Sequence, residues 1–257
     1  MNEFLRFKYF LNYQWRAKTK YYLHSPFVYQ FYLNVLEGGD DEQLLQIHHL
    51  RKELHSDNTL VKITDLGTGH DTSKTISAIE SKVAVRKKYG RLLYRLVKYF
   101  KPHQILELGT SIGLSSSYMA MANEHANITS MEGAGSFIEI AKKNYVTLGI
   151  GNVTNLEGNF DVLLPEFLKN QTALGLVFFD GNHKKEATLR YFKLCLEKAN
   201  AETIFVFDDI YWSKEMNEAW TEIKGNQQIT LALDVFQFGI CFFRKEKLAK
   251  EGFVLRY

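Results

Sequence analysis

The chain has 257 residues, of which 46% are hydrophobic, 24% charged and 14% aromatic, and its net charge is +3. This length and apolar fraction suffice for a large hydrophobic core and exclude an intrinsically disordered protein. No apolar run approaches the length of a membrane-spanning helix, and two cysteines are too few for a disulfide scaffold, so we expect a cytoplasmic globular protein.

The charge and the aromatic residues are unevenly distributed along the chain. Residues 1–103 carry 17 Lys and Arg against 10 Asp and Glu, whereas residues 104–257 carry 15 against 19. Twelve of the 36 Phe, Tyr and Trp residues lie in residues 1–36. We therefore predict an N-terminal helical extension or lid over residues 1–102 and a separate sheet domain over residues 103–257.

Residues 3–36 predict two aromatic amphipathic helices that are interrupted at His24-Ser25-Pro26. Ser25 suits a helix N-cap, and Pro26 suits the first helical position, where its missing N–H costs no hydrogen bond. A helical hairpin packed on the core, a lid over a substrate pocket and a surface for an acidic partner all agree with this pattern. Exposed aromatic side chains here would also be compatible with a homodimer.

From residue 103 onward, apolar runs alternate with helical segments. The predicted strands are 104–108, 128–132, 153–157, 175–180 and 203–208, and the predicted helices are 115–123, 136–148, 163–169 and 184–199. This alternation predicts an α/β fold, a Rossmann-like, doubly wound, mostly parallel sheet of seven strands. The runs 229–233 and 239–243 leave no room for a helix between them and predict an antiparallel C-terminal hairpin.

Acidic side chains follow nearly every predicted strand. In open α/β sheets the ligand binds outside the carboxyl ends of the strands, so we expect these acids to line the site. Carboxylates repel a bare phosphate and favour ligands that are rich in hydroxyl groups or positively charged. The acids concerned are Glu107, Glu132, Asp161, Asp180, Asp208 and Asp209.

A glycine-containing turn follows the first of these strands, from Glu107 to Gly113. Gly109 can take the positive φ of a tight strand-to-helix turn, and Gly113 allows a ligand to approach the backbone. A dinucleotide fingerprint would need glycines at 109, 111 and 114, but the chain has Ser111 and Leu114. The spacing instead resembles the first motif of class I S-adenosylmethionine (SAM)-dependent methyltransferases.

This resemblance implies a set of cofactor-binding residues. Glu107 and the turn would hold the methionine part of SAM, and Glu132 would accept hydrogen bonds from the ribose hydroxyls. Residues after the third strand would contact the adenine. The predicted cofactor set is Glu107, Gly109, Thr110, Ser111, Gly113, Ser115, Glu132, Asn159, Phe160 and Asp180.

A rival turn lies upstream, at Asp65-Leu66-Gly67-Thr68-Gly69. The chain after it, residues 81–102, holds eight basic residues and no acidic one, and supplies no second strand that ends in an acid. We therefore favour the downstream copy and interpret the upstream one as a turn packed near the site, in a position to touch substrate.

Two apolar runs end in the strings Asp180-Gly181-Asn182-His183 and Asp208-Asp209. This pair resembles the O-methyltransferase group of class I enzymes, over about residues 103–245. In metal-dependent catechol-type members these strands end in Asp-x-x-Lys and Asp-Asn and bind a divalent cation. Here His183 replaces the lysine and Asp209 replaces the asparagine, and the Asp-Gly-x-His form also occurs in bacterial relatives that act on small molecules.

The resemblance implies methyl transfer to a small-molecule hydroxyl by in-line displacement, in a methyltransferase domain over residues 103–257. His183 and Asp180 are the predicted catalytic residues, His183 as a general base because its ordinary pKa lies near neutral pH. A histidine that only binds substrate or supports the structure remains an alternative. Asp180, Asp208 and Asp209 are predicted ligands for Mg²⁺ or another divalent cation.

Residues 82–101 predict a basic amphipathic helix. A solvated face is the first interpretation, and an RNA methyltransferase that docks its substrate here is the alternative. The modest net charge and the acid-rich strand ends argue against nucleic acid, so a small molecule is the expected partner. A non-catalytic fold that only binds the cofactor is a further alternative.

Overall fold

A computed structural model of the protein describes residues 3–39, 41–64, 71–245 and 249–257. Two compact units are present: unit 1 contains the residues up to Leu33 together with Leu164–Tyr257, and unit 2 is Asn34–Leu163. Within the described ranges, no helix combines the length and apolar character needed to cross a membrane. The division into domains at residue 103 stays a prediction.

Unit 1 begins with the aromatic segment, which contains helix α1 (Glu3–Arg16), a 3₁₀ turn (Lys20–Tyr22) and helix α2 (Pro26–Phe31). A π-helical turn (Tyr32–Leu36) continues α2. Pro26 opens α2 as the sequence predicts, but α1 ends at Arg16, well before the predicted interruption at His24-Ser25-Pro26. Ser25 precedes that helix, but its buried hydroxyl makes no capping hydrogen bond.

The elements of unit 2 in chain order are α3 (Gln43–Ser56), β1 (Leu60–Thr64), β2 (Asp71–Thr75), α4 (Ile76–Lys82), α5 (Lys87–Phe100), β3 (Gln104–Leu108), α6 (Leu114–Ala122), β4 (Asn127–Glu132), α7 (Gly135–Leu148), β5 (Val153–Glu157) and the start of α8 (Phe160–Lys169). The glycine turn lies on the three parallel strands β3, β4 and β5, in which Glu107 lies opposite Ser130 and Glu132 opposite Glu157. Gly149, at φ +68°, ends helix α7 in the left-handed conformation that favours glycine.

The upstream rival strand β1 does not belong to this parallel set. It pairs antiparallel with β2 in a two-stranded sheet, with Leu60 opposite Thr75. The turn Asp65–Gly69 itself lies outside the described residues. A strand-to-helix nucleotide turn needs a parallel neighbour on the same sheet, so the pairing of β1 supports the downstream copy.

The basic helix α5 is amphipathic, as predicted, and its apolar face is buried. Arg95 is an exception to the expected solvated basic face, because its guanidinium is buried and donates to three backbone carbonyls, those of Val35, Leu36 and Gly38. Val35 and Leu36 lie in the last turn of a helical segment, where backbone carbonyls lack an intrahelical partner, and Gly38 follows that segment. Arg95 therefore acts as a structural cap.

The further elements of unit 1 are β6 (Leu176–Phe179), α9 (Lys185–Leu196), β7 (Ile204–Phe207), α10 (Lys214–Gly225), β8 (Leu231–Val235), β9 (Phe238–Phe242) and β10 (Glu251–Val254). The four residues of β6 are buried, like those of β7, as expected of strands that are covered on both faces. The strand order is β6-β7-β9-β8-β10; β6 and β7 are parallel, β9 runs antiparallel to β7 and β8, and β10 is parallel to β8.

The Rossmann-like α/β class, the mostly parallel strands and the C-terminal antiparallel hairpin are confirmed. Apart from β1 and β2, the described residues contain eight strands rather than the predicted seven, namely β3–β5 in unit 2 and β6–β10 in unit 1. The additional strand is β10, which is short and only partly buried. Its sequence, Glu251-Gly252-Phe253-Val254, lacks the apolar run that identifies a central strand.

Candidate active site

The glycine turn of unit 2 has the backbone conformation that its sequence predicts. Gly109 and Gly113 have φ values of +109° and +77°, and Ser111 between them has +47°. A Cβ at Gly113 would lie 2.8 Å from the Ala141 Cβ and 2.8 Å from a ring carbon of Tyr145. Gly113 is therefore required by packing against α7 as well as by its left-handed conformation.

Glu107 is fully buried beneath this turn in a cluster of hydroxyl groups. Ser116 and Ser130 both donate to its Oε2 atom, Ser130 at 2.5 Å, whereas Oε1 has no hydrogen-bond partner. Burial raises the pKa of Glu107 to about 7, although the hydroxyls of Ser115, Ser116 and Ser130 oppose this shift. This acid thus organises the start of α6.

Thr110 and Ser115, both predicted to bind the cofactor, are buried with their side chains in this cluster. The Thr110 hydroxyl lies 2.6 Å from that of Ser130, and the Ser115 hydroxyl is among the groups that oppose the raised pKa of Glu107. Both hydroxyl groups therefore have polar neighbours within the protein. The nearby Ser111 hydroxyl, by contrast, is buried without a hydrogen-bond partner.

Glu132 is the last residue of β4, and both of its carboxylate oxygens accept hydrogen bonds from backbone N–H groups. Oε2 accepts from the Ser111 N–H at 2.8 Å, and Oε1 accepts from the Ala134 N–H at 3.0 Å. A carboxylate oxygen can accept more than one hydrogen bond, so these contacts to the turn are compatible with the predicted contacts to ribose hydroxyl groups. The structure therefore brings Glu132 and the glycine turn together.

The residues predicted to contact adenine follow the neighbouring strand β5. The Gly158 N–H donates to the Glu132 carbonyl at 2.9 Å, which places this segment beside Glu132. Asn159 accepts a 2.8 Å hydrogen bond from the Asp161 N–H at the start of α8, and Phe160 between them is half-buried. Their role in adenine binding stays a prediction.

In unit 1, two of the predicted catalytic and metal-binding acids lie together at the ends of parallel strands. Asp180 follows β6 and Asp208 follows β7, and their side chains share a hydrogen bond. Asp208 also accepts from the Asp209 N–H at 2.7 Å and from the Gln237 side chain. Burial raises the pKa of Asp208 to about 7, and the charge of Asp209 adds to this shift.

His183 lies at the edge of this acid cluster. Its Nε2 atom is 3.7 Å from Asp180 Oδ1, and its side chain is 30% exposed. Burial lowers the pKa of His183 below its ordinary value, and the charge of Asp209 opposes that shift in part. The imidazole is therefore neutral at physiological pH, the state that a general base requires.

Left-handed backbone conformations hold both acid-bearing turns in place. Asn182 and Asp209 each have a φ of +53°, which is uncommon for residues other than glycine. The Asn182 side chain lies 3.4 Å from the Tyr191 hydroxyl, and the Asp209 carbonyl accepts from the Trp212 N–H at 2.8 Å. Such conformations cluster at functional sites, in agreement with the predicted role of these turns.

The predicted metal site has less support. Across the described residues, no three or more His, Cys, Asp or Glu side chains are arranged to hold a metal ion. The divalent cation stays a prediction from the resemblance.

The sequence did not reveal an aromatic wall that is formed by Tyr9, Phe10, Tyr211 and Phe236. It is built around Tyr211, which follows Asp208-Asp209 closely in the chain. Tyr211 donates to Asp234 at 2.5 Å, and the ring of Tyr9 on α1 lies 5.2 Å from that of Tyr211. Phe236, at φ +71°, stacks on Tyr211 and meets the ring of Phe10 at 5.1 Å. The only sequence signal was the position of Tyr211 just after the acids.

Comparison with known proteins agrees with this geometry. Residues 106–210, which run from the strand before the glycine turn to the segment after Asp208-Asp209, match a family model described as a methyltransferase domain. This segment is similar to methyltransferase domains. The predicted resemblance to class I SAM-dependent methyltransferases of the O-methyltransferase-like group is confirmed by this match together with the solved structures described next. No curated protein matches the sequence of this chain.

Solved structures share the fold at low sequence identity. One is the SAH-bound methyltransferase PaMTH1 of Podospora anserina (15% identity, TM-score 0.59, covering 87% of this chain and 97% of that one). Another is the O-methyltransferase TomG of Streptomyces achromogenes, involved in tomaymycin synthesis, in complex with SAM (19%, 0.56, 84% and 95%). A third is an O-methyltransferase of Bacillus cereus in complex with SAH (16%, 0.56, 85% and 97%).

Proposed function

We propose that this methyltransferase transfers the methyl group of SAM to a hydroxyl oxygen of a small molecule. The observation that carries the proposal is the placement of a neutral His183 3.7 Å from Asp180, directly after β6. Removal of a hydroxyl proton needs a neutral base, and the acids around His183 stabilise the imidazolium that forms.

The residues that would hold SAM belong to unit 2. Glu132 has acceptor capacity for the ribose hydroxyls, and the unpartnered Ser111 hydroxyl and Glu107 Oε1 are polar atoms that a ligand could satisfy. Gly109 and Gly113 shape the turn, whereas Thr110 and Ser115 position it from within the buried cluster. When bound, SAM supplies an electrophilic methyl group on a positively charged sulfonium.

The catalytic step assigned to this chain is proton removal. As the substrate oxygen forms its bond to the methyl carbon and the carbon–sulfur bond breaks, His183 accepts the hydroxyl proton and S-adenosylhomocysteine leaves. Asp180 orients the imidazole, and the negative charge of Asp209 favours its protonated form. Because the methyl donor is already activated, positioning and proton removal account for most of what the protein must contribute.

The wall after Asp208-Asp209 supports an acceptor with apolar surface. The rings of Tyr9 and Phe236 pack on Tyr211, which follows the acids closely in the chain, and Arg6 lies 5.4 Å from the Trp212 ring. An aromatic or otherwise apolar molecule that carries a hydroxyl group fits these surroundings best. This assigns the aromatic N-terminal helix to acceptor recognition.

The test is to incubate the purified protein with SAM and a panel of phenols, catechols, aliphatic alcohols and amines. We expect S-adenosylhomocysteine to form with a hydroxyl compound, and mass spectrometry to place the new methyl group on oxygen. Methylation of nitrogen alone, or of RNA alone, would contradict the proposal. A parallel reaction with EDTA tests the predicted divalent cation, and calorimetry with SAM and NADH tests the cofactor.

A further inference from the structure

Helix α1 has a second apolar face that points away from its own core. Tyr13, on the inner face, is buried and donates to the Leu255 carbonyl at 2.6 Å. On the outer face, four large apolar side chains are each 53–87% exposed. They are Phe4, Phe7, Leu11 and Trp15. Their spacing of three, four and four residues places them in one stripe along the helix.

Exposed aromatic side chains also occur shortly after the helix. Tyr21 and Tyr22, in the 3₁₀ turn after α1, are also strongly exposed. Other exposed apolar side chains, such as Val146 and Val162, are single residues on other helices, and isolated exposure of this kind is normal. A continuous aromatic stripe is not normal for a surface that faces only water, and it indicates an interaction surface.

Basic side chains flank the outer stripe. Lys8, Arg16 and Lys18 are exposed, and Arg256 joins them because its N–H donates to the Lys18 carbonyl at 2.9 Å. In the sequence, residues 1–36 contain five Lys and Arg against one acid, Glu3. The partner of this surface is therefore expected to be negatively charged as well as apolar.

We propose that the outer stripe of α1 docks on an anionic lipid surface, with the helix lying in the plane of the interface. Aromatic side chains are favoured at the headgroup level, and Lys and Arg at the edge of an apolar face are attracted to anionic lipids. The stripe from Phe4 to Trp15 is about 17 Å long, which suits a helix that lies on a membrane and does not cross it.

A second copy of the chain fits the same stripe less well. A two-fold dimer would place the stripe against itself, since such an interface uses the same patch on both subunits. The basic side chains Lys8, Arg16 and Lys18 of both copies would then gather at one interface, and the single acid of this segment, Glu3, does not balance them. Charge complementarity therefore favours the lipid surface.

The experiment measures co-sedimentation of the full chain with vesicles of phosphatidylcholine, with and without about one quarter phosphatidylserine. We expect binding to the anionic vesicles and little to the neutral ones. The combined variant Phe4→Ser, Phe7→Ser and Trp15→Ser should lower the partition coefficient by at least about tenfold. The matched control, Val146→Ser with Val162→Ser, removes exposed apolar side chains elsewhere and should bind like the natural sequence.

A charge variant tests the basic flank separately. Lys8→Glu with Lys18→Glu should weaken binding to anionic vesicles by roughly fivefold or more for each residue changed. The control is Lys143→Glu with Lys193→Glu, which makes the same charge change at exposed positions elsewhere. Trp15 fluorescence gives a direct reading, because its emission should shift to the blue with anionic vesicles and not in the Trp15→Phe variant.

Three results would overturn the proposal. They are equal sedimentation with neutral and anionic vesicles, unchanged binding in the serine variant, and light scattering that shows a dimer which the serine variant dissociates without any vesicle binding. None of these readings uses methyl transfer, so the outcome is independent of the proposed acceptor.

Discussion

Glu107 in unit 2 and Asp208 in unit 1 are two buried carboxyl groups with opposite surroundings. Burial raises the pKa of each to about 7. Around Glu107 the neighbours are serine hydroxyls, which donate hydrogen bonds and oppose the shift. Around Asp208 they include two further acids, and the charge of Asp209 adds to the shift.

The same raised pKa therefore has different consequences at Glu107 and at Asp208. A carboxyl group held by neutral donors has a fixed position, so Glu107 is suited to shape the turn before α6. A carboxyl group that shares a hydrogen bond with another acid has neighbours whose charges depend on its own protonation. Asp208 lies in such a cluster with Asp180, and His183 is at its edge.

The largest expected effect is on catalysis in unit 1. His183→Ala should lower kcat by about 10²- to 10⁴-fold, because it removes the general base. His125→Ala, which changes an exposed histidine in unit 2, should leave kcat unchanged. In the natural sequence, activity should be present at pH values above the lowered pKa of His183 and fall as the pH drops through it. An unchanged kcat in His183→Ala would exclude the proposed base.

The second effect is a pH dependence of stability. A raised carboxyl pKa means that the folded protein holds a proton that the unfolded chain releases, so stability should fall as the pH rises from about 4.5 to about 7. The shift of Glu107 corresponds to a change on the order of 3 kcal/mol in the free energy of unfolding.

Glu107→Gln cannot titrate and should reduce that pH dependence, as measured by urea unfolding at about pH 5 and about pH 8. Glu166→Gln, at an exposed position, is the control and should keep the natural slope. Asp208→Asn should also reduce the slope, but unlike Glu107→Gln it should change the pH profile of kcat. Equal slopes in the Glu107→Gln variant and the natural sequence would contradict the raised pKa.

The third effect concerns the cofactor. Glu132→Gln keeps the shape of the side chain but removes its charge, and one of its two oxygens becomes an NH₂ group that cannot accept from a backbone N–H or a ribose hydroxyl. Calorimetry should show the Kd for SAM rising by about tenfold. Glu139→Gln, an acid on the neighbouring helix α7, is the control. An unaltered Kd in Glu132→Gln would remove the ribose assignment.

The smallest effect is in the hydroxyl cluster. Ser116→Ala removes one of the donors to Glu107 and should cost about 1–2 kcal/mol of stability, because the buried acid keeps fewer partners. The loss should be larger at high pH, where Glu107 is charged and needs the donor most. Thr147→Ala, an exposed helical hydroxyl, should have little effect under the same urea titration.

Local pattern was sufficient for the central elements of the fold. The strands β3 and β5 have the predicted bounds, and β6 and β7 differ from the predictions by one residue at each end. Their apolar runs reflect burial on both faces, which leaves a signal in the sequence itself. β10 and β2 gave no such signal, because short strands at partly exposed edges carry few apolar residues.

Residue types and order by themselves indicated an α/β chain that resembles methyltransferases and carries acids after its strands, because turns and buried strands demand particular residues locally. Only the tertiary structure decided what those residues contact. In the folded chain Arg95 caps a helix end, and Glu107 is surrounded by hydroxyl groups. Tyr211 packs against α1, whose outer stripe is exposed. Such contacts join residues far apart in sequence, and their energies depend on burial, which no local pattern encodes.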